Sequence, residues 1–236
     1  MSKLVFLGDS FTNNDYMKEN FGHWTNKLAD DLGCEFLNFG VSNGNNNTQN
    51  KLLENYILSD DYSADDIFLW QSSYEKRSTL FLKKSQKLIN ILDQIQQKYD
   101  TKIYENIPTF FDNSDSEIVN IKKFPETLPI MTKYGLDFPQ SIDKLELQEM
   151  LLIILLLSKL NHKVFLFLGW QDCISSDYVK QIKSKTNNNF KFIDVPIKEW
   201  CIENNLLMAD DGEHPDFEST YAWSNKFLKP ELEKIL

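Results

Sequence analysis

Short runs of apolar residues alternate with longer amphipathic stretches along this chain. The short runs predict β-strands at Leu4–Leu7, Phe36–Phe39, Ile67–Trp70, Val164–Leu168 and Phe190–Val195. The stretches with apolar side chains at helical spacing predict helices at Trp24–Leu32, Thr48–Leu58, Leu80–Tyr99, Leu145–Leu160 and Phe217–Leu236. Strands that alternate with helices predict an α/β domain with about five parallel strands and helices on both faces.

One segment interrupts the alternation. Residues Thr101 to Ser141 contain four prolines among several aromatic residues and show no clear strand or helix period. Because a connection of this length is unusual in a compact domain, we expect an inserted lid or subdomain at about 101–141 of a single domain that spans 1–236. An ordinary surface excursion fits the same pattern.

Composition limits the class of protein. The 236 residues are 42% apolar and 13% aromatic, which is enough to bury one substantial core and too apolar for a disordered chain. The formal net charge of -10 argues against a basic surface that follows nucleic-acid phosphates, so no nucleic-acid partner is expected.

The expected location is cytoplasmic. The three cysteines are widely spaced without a CxxC pair, which fits a reducing compartment. Met1–Leu7 lacks the apolar region of a secretory signal, and the most apolar run, Met150–Leu157, is far shorter than a membrane span. Transport in a larger assembly such as a virion is the alternative.

Gly8-Asp9-Ser10 follows the first predicted strand directly, and a serine there has its hydroxyl exposed at the edge of the sheet. The small Gly8 allows the chain to turn, and the backbone N–H groups of a following helix would face an anion. Asp and Ser are also favoured at helix N-caps, so this tripeptide alone decides nothing.

A second candidate is Asp211-Gly212-Glu213-His214-Pro215, because a carboxylate three residues before a histidine can turn back onto the ring and orient it as a base. A solvated acidic loop is the alternative. The other two histidines fit packing or capping roles: His23 starts a helix, and His162 follows the apolar helix and is expected to cap its C-terminus.

A third candidate follows the second strand, at Asn38-Phe39-Gly40-Val41-Ser42-Asn43-Gly44. The Gly40 N–H is placed to face a developing oxyanion, although an ordinary Asn/Gly turn fits too.

As a set, these three motifs resemble the SGNH/GDSL hydrolase superfamily in their order and in the long separation between serine and histidine. The resemblance implies a three-layer α/β/α sandwich of flavodoxin-like type and ester hydrolysis through an acyl-enzyme, with no cofactor. It implies Ser10 as nucleophile, His214 as general base, Asp211 as the residue that orients His214, and the Ser10 and Gly40 N–H groups in the oxyanion hole.

The sequence departs from the superfamily after the third strand. The usual Gly-x-Asn-Asp block, whose asparagine donates to the oxyanion, is replaced by Trp70-Gln71-Ser72-Ser73, with Arg77 nearby. This pattern is similar to a divergent branch associated with bacteria and phages. Four side chains are candidate replacement donors: Asn43, Asn45, Gln71 and Ser72. Asp9, Trp70 and Arg77 are candidate substrate-binding residues.

The favoured function is a serine esterase. The polar, Asn-rich loop Asn43–Asn47 and the absence of a long apolar tunnel favour removal of a small acyl group, such as O-acetyl, from a carbohydrate. The alternatives are a catalytically degenerate glycan-binding or virion-associated module, and an acyltransferase with the same triad.

Metal and nucleotide sites are not expected. The acidic residues are scattered, His214 has no histidine partner at ligand spacing, and neither GxGxxG nor GxxxxGK[ST] occurs. The expected partner is therefore a small-molecule or glycan ester, with no membrane involved, and the oligomeric state is left open. Trp70, Trp170 and Trp200 fit either a sugar-stacking platform or the core.

Overall fold

A parallel five-stranded sheet forms the centre of the molecule in the computed structural model. The model describes residues 2–13, 23–41, 44, 46–73, 77–83, 104–107, 116–122, 141–171, 174, 176–186, 188–210, 212 and 214–236. Only the backbone is described for residues 47, 77–83, 104–107, 116–122, 141–146 and 176–178.

The strands of the central sheet have the order β2-β1-β3-β7-β8, and every neighbouring pair is parallel. These strands are β1 (Lys3–Gly8), β2 (Glu35–Gly40), β3 (Ile67–Ser72), β7 (Lys163–Leu168) and β8 (Phe190–Ile193). This is the flavodoxin-like order, in which the chain moves outward from β1 to β2 and then crosses back to β3. The α/β fold and all five predicted strands are confirmed.

Helices cover both faces of the sheet, because successive strand residues point to opposite sides. Val5 and Leu7 of β1 pack toward α2 (Asn46–Ile57), α3 (Ser141–Lys159) and α4 (Ser176–Lys185). Leu4 and Phe6 pack on the other side, toward α1, α5, α6 and α7, which are Trp24–Leu32, Ile197–Glu203, Phe217–Phe227 and Lys229–Leu232. The result is a three-layer sandwich with two apolar cores.

The predicted helix Leu80–Tyr99 is wrong where the structure describes it. Residues Arg77–Lys83 form β4, which pairs antiparallel with β6 (Ser116–Lys122), and β6 pairs with β5 (Tyr104–Ile107). The partner strand lies far away in sequence, so local helical spacing carries no information about it. Residues 84–99 of the predicted helix lie outside the described residues.

Two strands of the second sheet, β5 and β6, lie within the predicted segment 101–141, and the third strand, β4, precedes it. The last residue of that segment, Ser141, is the first residue of α3. The role of this segment as a lid stays a prediction.

The predicted C-terminal helix is divided in two. α6 ends at Phe227 and α7 begins at Lys229, with Pro230 in its first turn. Proline has no N–H to donate and its ring clashes with the carbonyl four residues earlier, which ends the first helix. No helix in the described part of the chain is long and apolar enough to cross a membrane.

We expect the central strand β3 to be the most sensitive position for core substitutions. Leu69 is 0% exposed and Leu207 is 72% exposed, so the same change tests burial alone. Leu69→Ala should lower the free energy of unfolding by about 2–5 kcal/mol, whereas Leu207→Ala should change it by less than about 0.5 kcal/mol. Urea unfolding followed by circular dichroism measures both, and equal losses would contradict the assigned core.

Candidate active site

The loops after β1, β2, β3 and β7 meet at one edge of the central sheet, because the carboxyl ends of parallel strands share an edge. The strand order reverses between β1 and β3, and this reversal opens a crevice where ligands bind in folds of this type. Ser10 lies immediately after β1 at this position.

The structure brings Ser10 and His214 together. Ser10 Oγ lies 2.6 Å from His214 Nε2, although 204 residues separate the two in sequence. Ser10 is 8% exposed, and the Phe11 ring lies 4.9 Å from the imidazole. A serine hydroxyl at hydrogen-bond distance from an imidazole nitrogen is the geometry needed for the base to take the hydroxyl proton.

A short hairpin-like turn positions His214. Met208 and Pro215 form an antiparallel bridge, and Ala209 N–H donates to His214 O at 2.7 Å. Gly212 has φ of 66°, a left-handed conformation that glycine adopts without a steric penalty. Asp211, the predicted partner of His214, lies outside the described residues, so its role stays a prediction.

Asp9 is buried beneath the serine and does not face the crevice. It is 0% exposed, and its Oδ1 accepts from Gln71 Nε2 at 2.6 Å and from Phe11 N–H at 3.3 Å. The prediction that Asp9 contacts substrate is therefore wrong. Its carboxylate organises the turn that presents Ser10.

Gln71 is also 0% exposed, and both atoms of its side-chain amide form hydrogen bonds. Its Oε1 accepts from Thr12 Oγ1 at 2.7 Å and from Asp9 N–H at 3.3 Å, so one amide clamps both sides of the nucleophile turn. Ser72 is 0% exposed, and the contact of its Oγ with Ser73 O is long, at 3.5 Å. Gln71 and Ser72 thus lie in the floor of the site, which corrects their prediction as oxyanion donors.

Gly40 has a structural role in place of the predicted role as an oxyanion donor. Its N–H donates to Asn38 Oδ1 at 2.7 Å, so this donor is already engaged and the predicted oxyanion role is not met in this structure. A Cβ on Gly40 would lie 2.4 Å from the Thr12 carbonyl carbon. Glycine is needed here because the nucleophile turn approaches the end of β2 too closely for any side chain.

Of the remaining predicted site residues, one is buried in the core and three have side chains outside the described part of the structure. Trp70 is 0% exposed within the core between β3 and the helices α2 and α3, so it cannot stack on a substrate, and that prediction is wrong. Asn43 and Asn45 lie outside the described residues. Arg77 belongs to β4, and its side chain is outside the description as well. These three positions stay predictions.

Ser73 and Asn46, to which the sequence gave no role of their own, help to build the site, as does Trp170, for which both a sugar-stacking and a core role were open. Ser73 Oγ lies 2.6 Å from Gly44 O and 3.2 Å from Asp9 Oδ2, and its N–H is bound by Asn46 Oδ1. Trp170 packs edge-on against Phe11, with ring centroids 4.5 Å apart, and lies 6.2 Å from the His214 ring. The positions of Ser73 and Trp170 directly after β3 and β7 were the available signal.

A small pocket opens beside the Ser10–His214 pair. Its volume is about 30 Å³, and its walls include Ser10, Asn13, Trp24, His214 and Phe217. A cavity needs at least about 10–15 Å³ to hold one water, so this pocket has room for only two or three non-hydrogen atoms.

His23 forms another wall of this pocket and caps α1, as the sequence predicted. Its Nδ1 accepts from Thr25 N–H at 3.4 Å. His162, in contrast, is 2% exposed, and its Nε2 and Nδ1 lie 2.6 Å from Tyr62 Oη and 3.1 Å from Asp66 O. The ring joins the segment before β3 to the segment before β7, while the His162 N–H donates to Leu157 O at 3.0 Å and caps the C-terminus of α3, as predicted.

Within the described residues, no group of three or more His, Cys, Asp or Glu side chains could hold a metal ion.

We expect Gln71 to stabilise the fold through its hydrogen bonds and not through its bulk. Gln71→Leu removes the Asp9 donor and should lower the free energy of unfolding by about 1–3 kcal/mol. Gln49 is a matched control, since it is also 0% exposed and neither of its amide atoms has a hydrogen-bond partner among the described residues. Gln49→Leu should be neutral or stabilising in the same urea titration. A loss at Gln49 as large as that at Gln71 would contradict the assignment.

Burial of His23 predicts a loss of stability in mild acid. Burial lowers the His23 pKa from 6.5 to about 4, so the folded protein keeps this ring neutral where the unfolded chain binds a proton. The free energy of unfolding is unaffected by His23 above pH 6.5 and falls as the pH drops toward 4. Between pH 7 and pH 5 the wild type should lose about 2 kcal/mol more than His23→Asn, which retains a capping side chain. Equal losses in urea titrations at the two pH values would contradict the assigned burial.

Comparison with known proteins gives a likeness of fold without a close relative. No family model matches this sequence. A search of curated proteins also finds no match. Solved structures do resemble it: the psychrotrophic esterase EstA from Pseudoalteromonas sp., in a structure inhibited by monoethylphosphonate, has a TM-score of 0.50 at 12% identity and covers 99% of this chain and 100% of its own.

Two further structures are similar over most of their length. A member of the lipolytic protein G-D-S-L family from Veillonella parvula has a TM-score of 0.49 at 12% identity, covering 96% of this chain and 97% of its own. An alpha/beta hydrolase enzyme from the metagenome of Lake Arreo has a TM-score of 0.46 at 13% identity, covering 95% and 92%. At the identity and TM-score of EstA the likeness is one of fold, and the chain therefore shares the α/β fold of EstA, in line with the fold class predicted from the sequence.

Proposed function

We propose that this protein is a serine esterase that removes a small acyl group, such as acetyl, from a hydroxylated substrate. The observation that carries the proposal is the 2.6 Å distance between Ser10 Oγ and His214 Nε2 at the crevice of the sheet. EstA, whose chain has the same fold, is an esterase, which supports this class of reaction.

The proposed reaction has two halves. Ser10 Oγ attacks the ester carbonyl carbon while His214 Nε2 takes the hydroxyl proton, and the collapse of the tetrahedral intermediate releases the alcohol, which receives that proton. Water then attacks the acyl-serine with His214 again as the base, which frees the carboxylic acid and restores Ser10. We assign Asp211 to orient His214 on the strength of the sequence motif.

The preference for a small acyl group rests on the pocket beside the nucleophile. Its volume of about 30 Å³, between walls that include Trp24 and Phe217, suits an acetyl group better than a long chain. The Ser10 N–H is our candidate for one oxyanion donor. The two predicted donors of the third-strand loop, Gln71 and Ser72, lie buried beneath the turn.

Removal of the nucleophile tests this proposal directly. Ser10→Ala and His214→Ala should each lower kcat for p-nitrophenyl acetate by about 10³-fold or more, because neither group acts without the other. A fluorophosphonate probe should label the wild type and not Ser10→Ala. Ser184→Ala is a matched control, since this serine lies on the exposed side of α4.

Either of two results would refute the esterase. A folded wild type that neither hydrolyses p-nitrophenyl acetate nor reacts with the probe lacks an activated serine. Activity that survives in Ser10→Ala places the chemistry at another residue.

A further inference from the structure

The outer side of α3 carries a line of exposed leucines. The inner side of this helix packs into the core through Met150 and Ile154, which are both 0% exposed. Leu152, Leu156 and Leu160 lie on the opposite side and are 60%, 59% and 64% exposed. Leu160 N–H donates to Leu156 O at 2.9 Å, so the helical hydrogen bonding continues to Leu160. We call the outer side of α3 from Glu149 to Leu160 the leucine strip.

The alignment of these leucines sets them apart from ordinary exposed side chains. Residues four apart are neighbours on one face of a helix, so the three leucines form one continuous apolar line. Eight large apolar side chains are exposed among the described residues, and three of them belong to this line. Single exposed leucines are common on soluble proteins, whereas a contiguous apolar patch is typical of a surface that another molecule covers.

A charged residue of opposite sign lies at each end of the leucine strip. Glu149 is at its N-terminal end, with a side chain that is 42% exposed. Its Oε2 accepts from Asn50 Nδ2 at 3.0 Å, while its Oε1 lies 4.0 Å from Lys51 Nζ, beyond hydrogen-bond distance. Lys159 is exposed at the C-terminal end. The carboxylate is thus held in place with one oxygen able to accept from a further donor.

The strip is symmetric about the level of Ile154. Leu152 and Leu156 lie two residues before and after it, and Glu149 and Lys159 lie five residues before and after it. A two-fold axis at this level would place two copies of α3 antiparallel, with Leu152 of each copy level with Leu156 of the other. Glu149 of each copy would then be level with Lys159 of the other, so the strip is complementary to itself in shape and in charge. A parallel pair would instead bring each glutamate beside its own counterpart.

We propose that this protein forms a two-fold symmetric dimer in which the leucine strip of one copy covers that of a second copy. The dimer goes beyond the proposed esterase and does not depend on it. The end of α3 leads into the start of β7, at the edge of the sheet opposite Ser10, and antiparallel helices direct the two crevices toward opposite ends of the dimer.

The size of the strip predicts a weak dimer. Twelve helical residues span about 18 Å, and a helix is about 10 Å wide. This is well below the roughly 800 Å² per partner of a stable interface, so we expect a Kd on the order of 100 µM. The formal net charge of -10 on each copy also opposes association, which makes the two glutamate–lysine pairs important for the register.

Sedimentation equilibrium from about 5 to about 500 µM protein tests the dimer. The wild type should show a monomer–dimer equilibrium, and Leu152→Ser and Leu156→Ser should each weaken it at least about tenfold. Leu207→Ser is the matched control, because Leu207 is a 72% exposed leucine outside α3, and it should associate like the wild type. All three changes are at exposed positions, and circular dichroism checks that each variant is folded.

Charge reversal tests the antiparallel arrangement. Glu149→Lys and Lys159→Glu should each weaken association by about fivefold or more, because each places like charges together at both ends of the interface. The double variant with both reversals re-forms the opposite-charge pairs between copies and should dimerise within about twofold of the wild type.

Three results would overturn the proposal. They are a wild type that stays monomeric to about 500 µM, an association that both leucine variants retain, and a double reversal that fails to restore the dimer. A monomeric wild type that floats with phosphatidylcholine vesicles would assign the strip to a lipid surface instead. Hydrolysis of p-nitrophenyl acetate should be the same in all these variants, and its absence from every one of them would refute the esterase without affecting the sedimentation result.

Discussion

The hydrogen bond between the Asp9 carboxylate and the Gln71 amide is the constraint on which the site depends. It joins the ends of β1 and β3 at the point where the strand order reverses, and both residues are 0% exposed. A buried carboxylate is stable only when donors satisfy it, and Gln71 meets that need at 2.6 Å. The same amide binds Thr12 through its oxygen, so the turn that carries Ser10 is held from below.

The chain segments around this hydrogen bond approach one another closely. Gly40 has no room for a Cβ against the backbone of Thr12, and a Cβ on Gly169 would lie 2.5 Å from Gln71 Nε2. Glycines at the ends of β2 and β7 thus let β2 approach the backbone of Thr12 and β7 approach the Gln71 side chain. We infer that Gln71 both fills the space between these loops and supplies the donor for Asp9.

Most of the fold could be predicted from the sequence because its signals are local. Each central strand is a short apolar run, and α1 begins and ends as expected because Gly33, at φ of 64°, provides the cap. The site pair Ser10 and His214 was predictable for another reason, since each lies in a motif whose order along the chain is recognisable. The secondary-structure prediction that failed concerns a long-range pairing. The strand Arg77–Lys83 depends on a partner strand about 40 residues later, and local periodicity carries no information about such a partner.

The roles of buried polar side chains were the other failure, and its cause is physical. Sequence shows that Asp9, Gln71 and Ser72 lie at the ends of strands, where functional residues collect, but it does not show which of them point into the crevice. Asp9 and Gln71 satisfy each other beneath the turn, so neither is left to bind substrate. The same lesson applies to the tryptophans: Trp70 faces the core, whereas Trp170 packs against Phe11 beside His214.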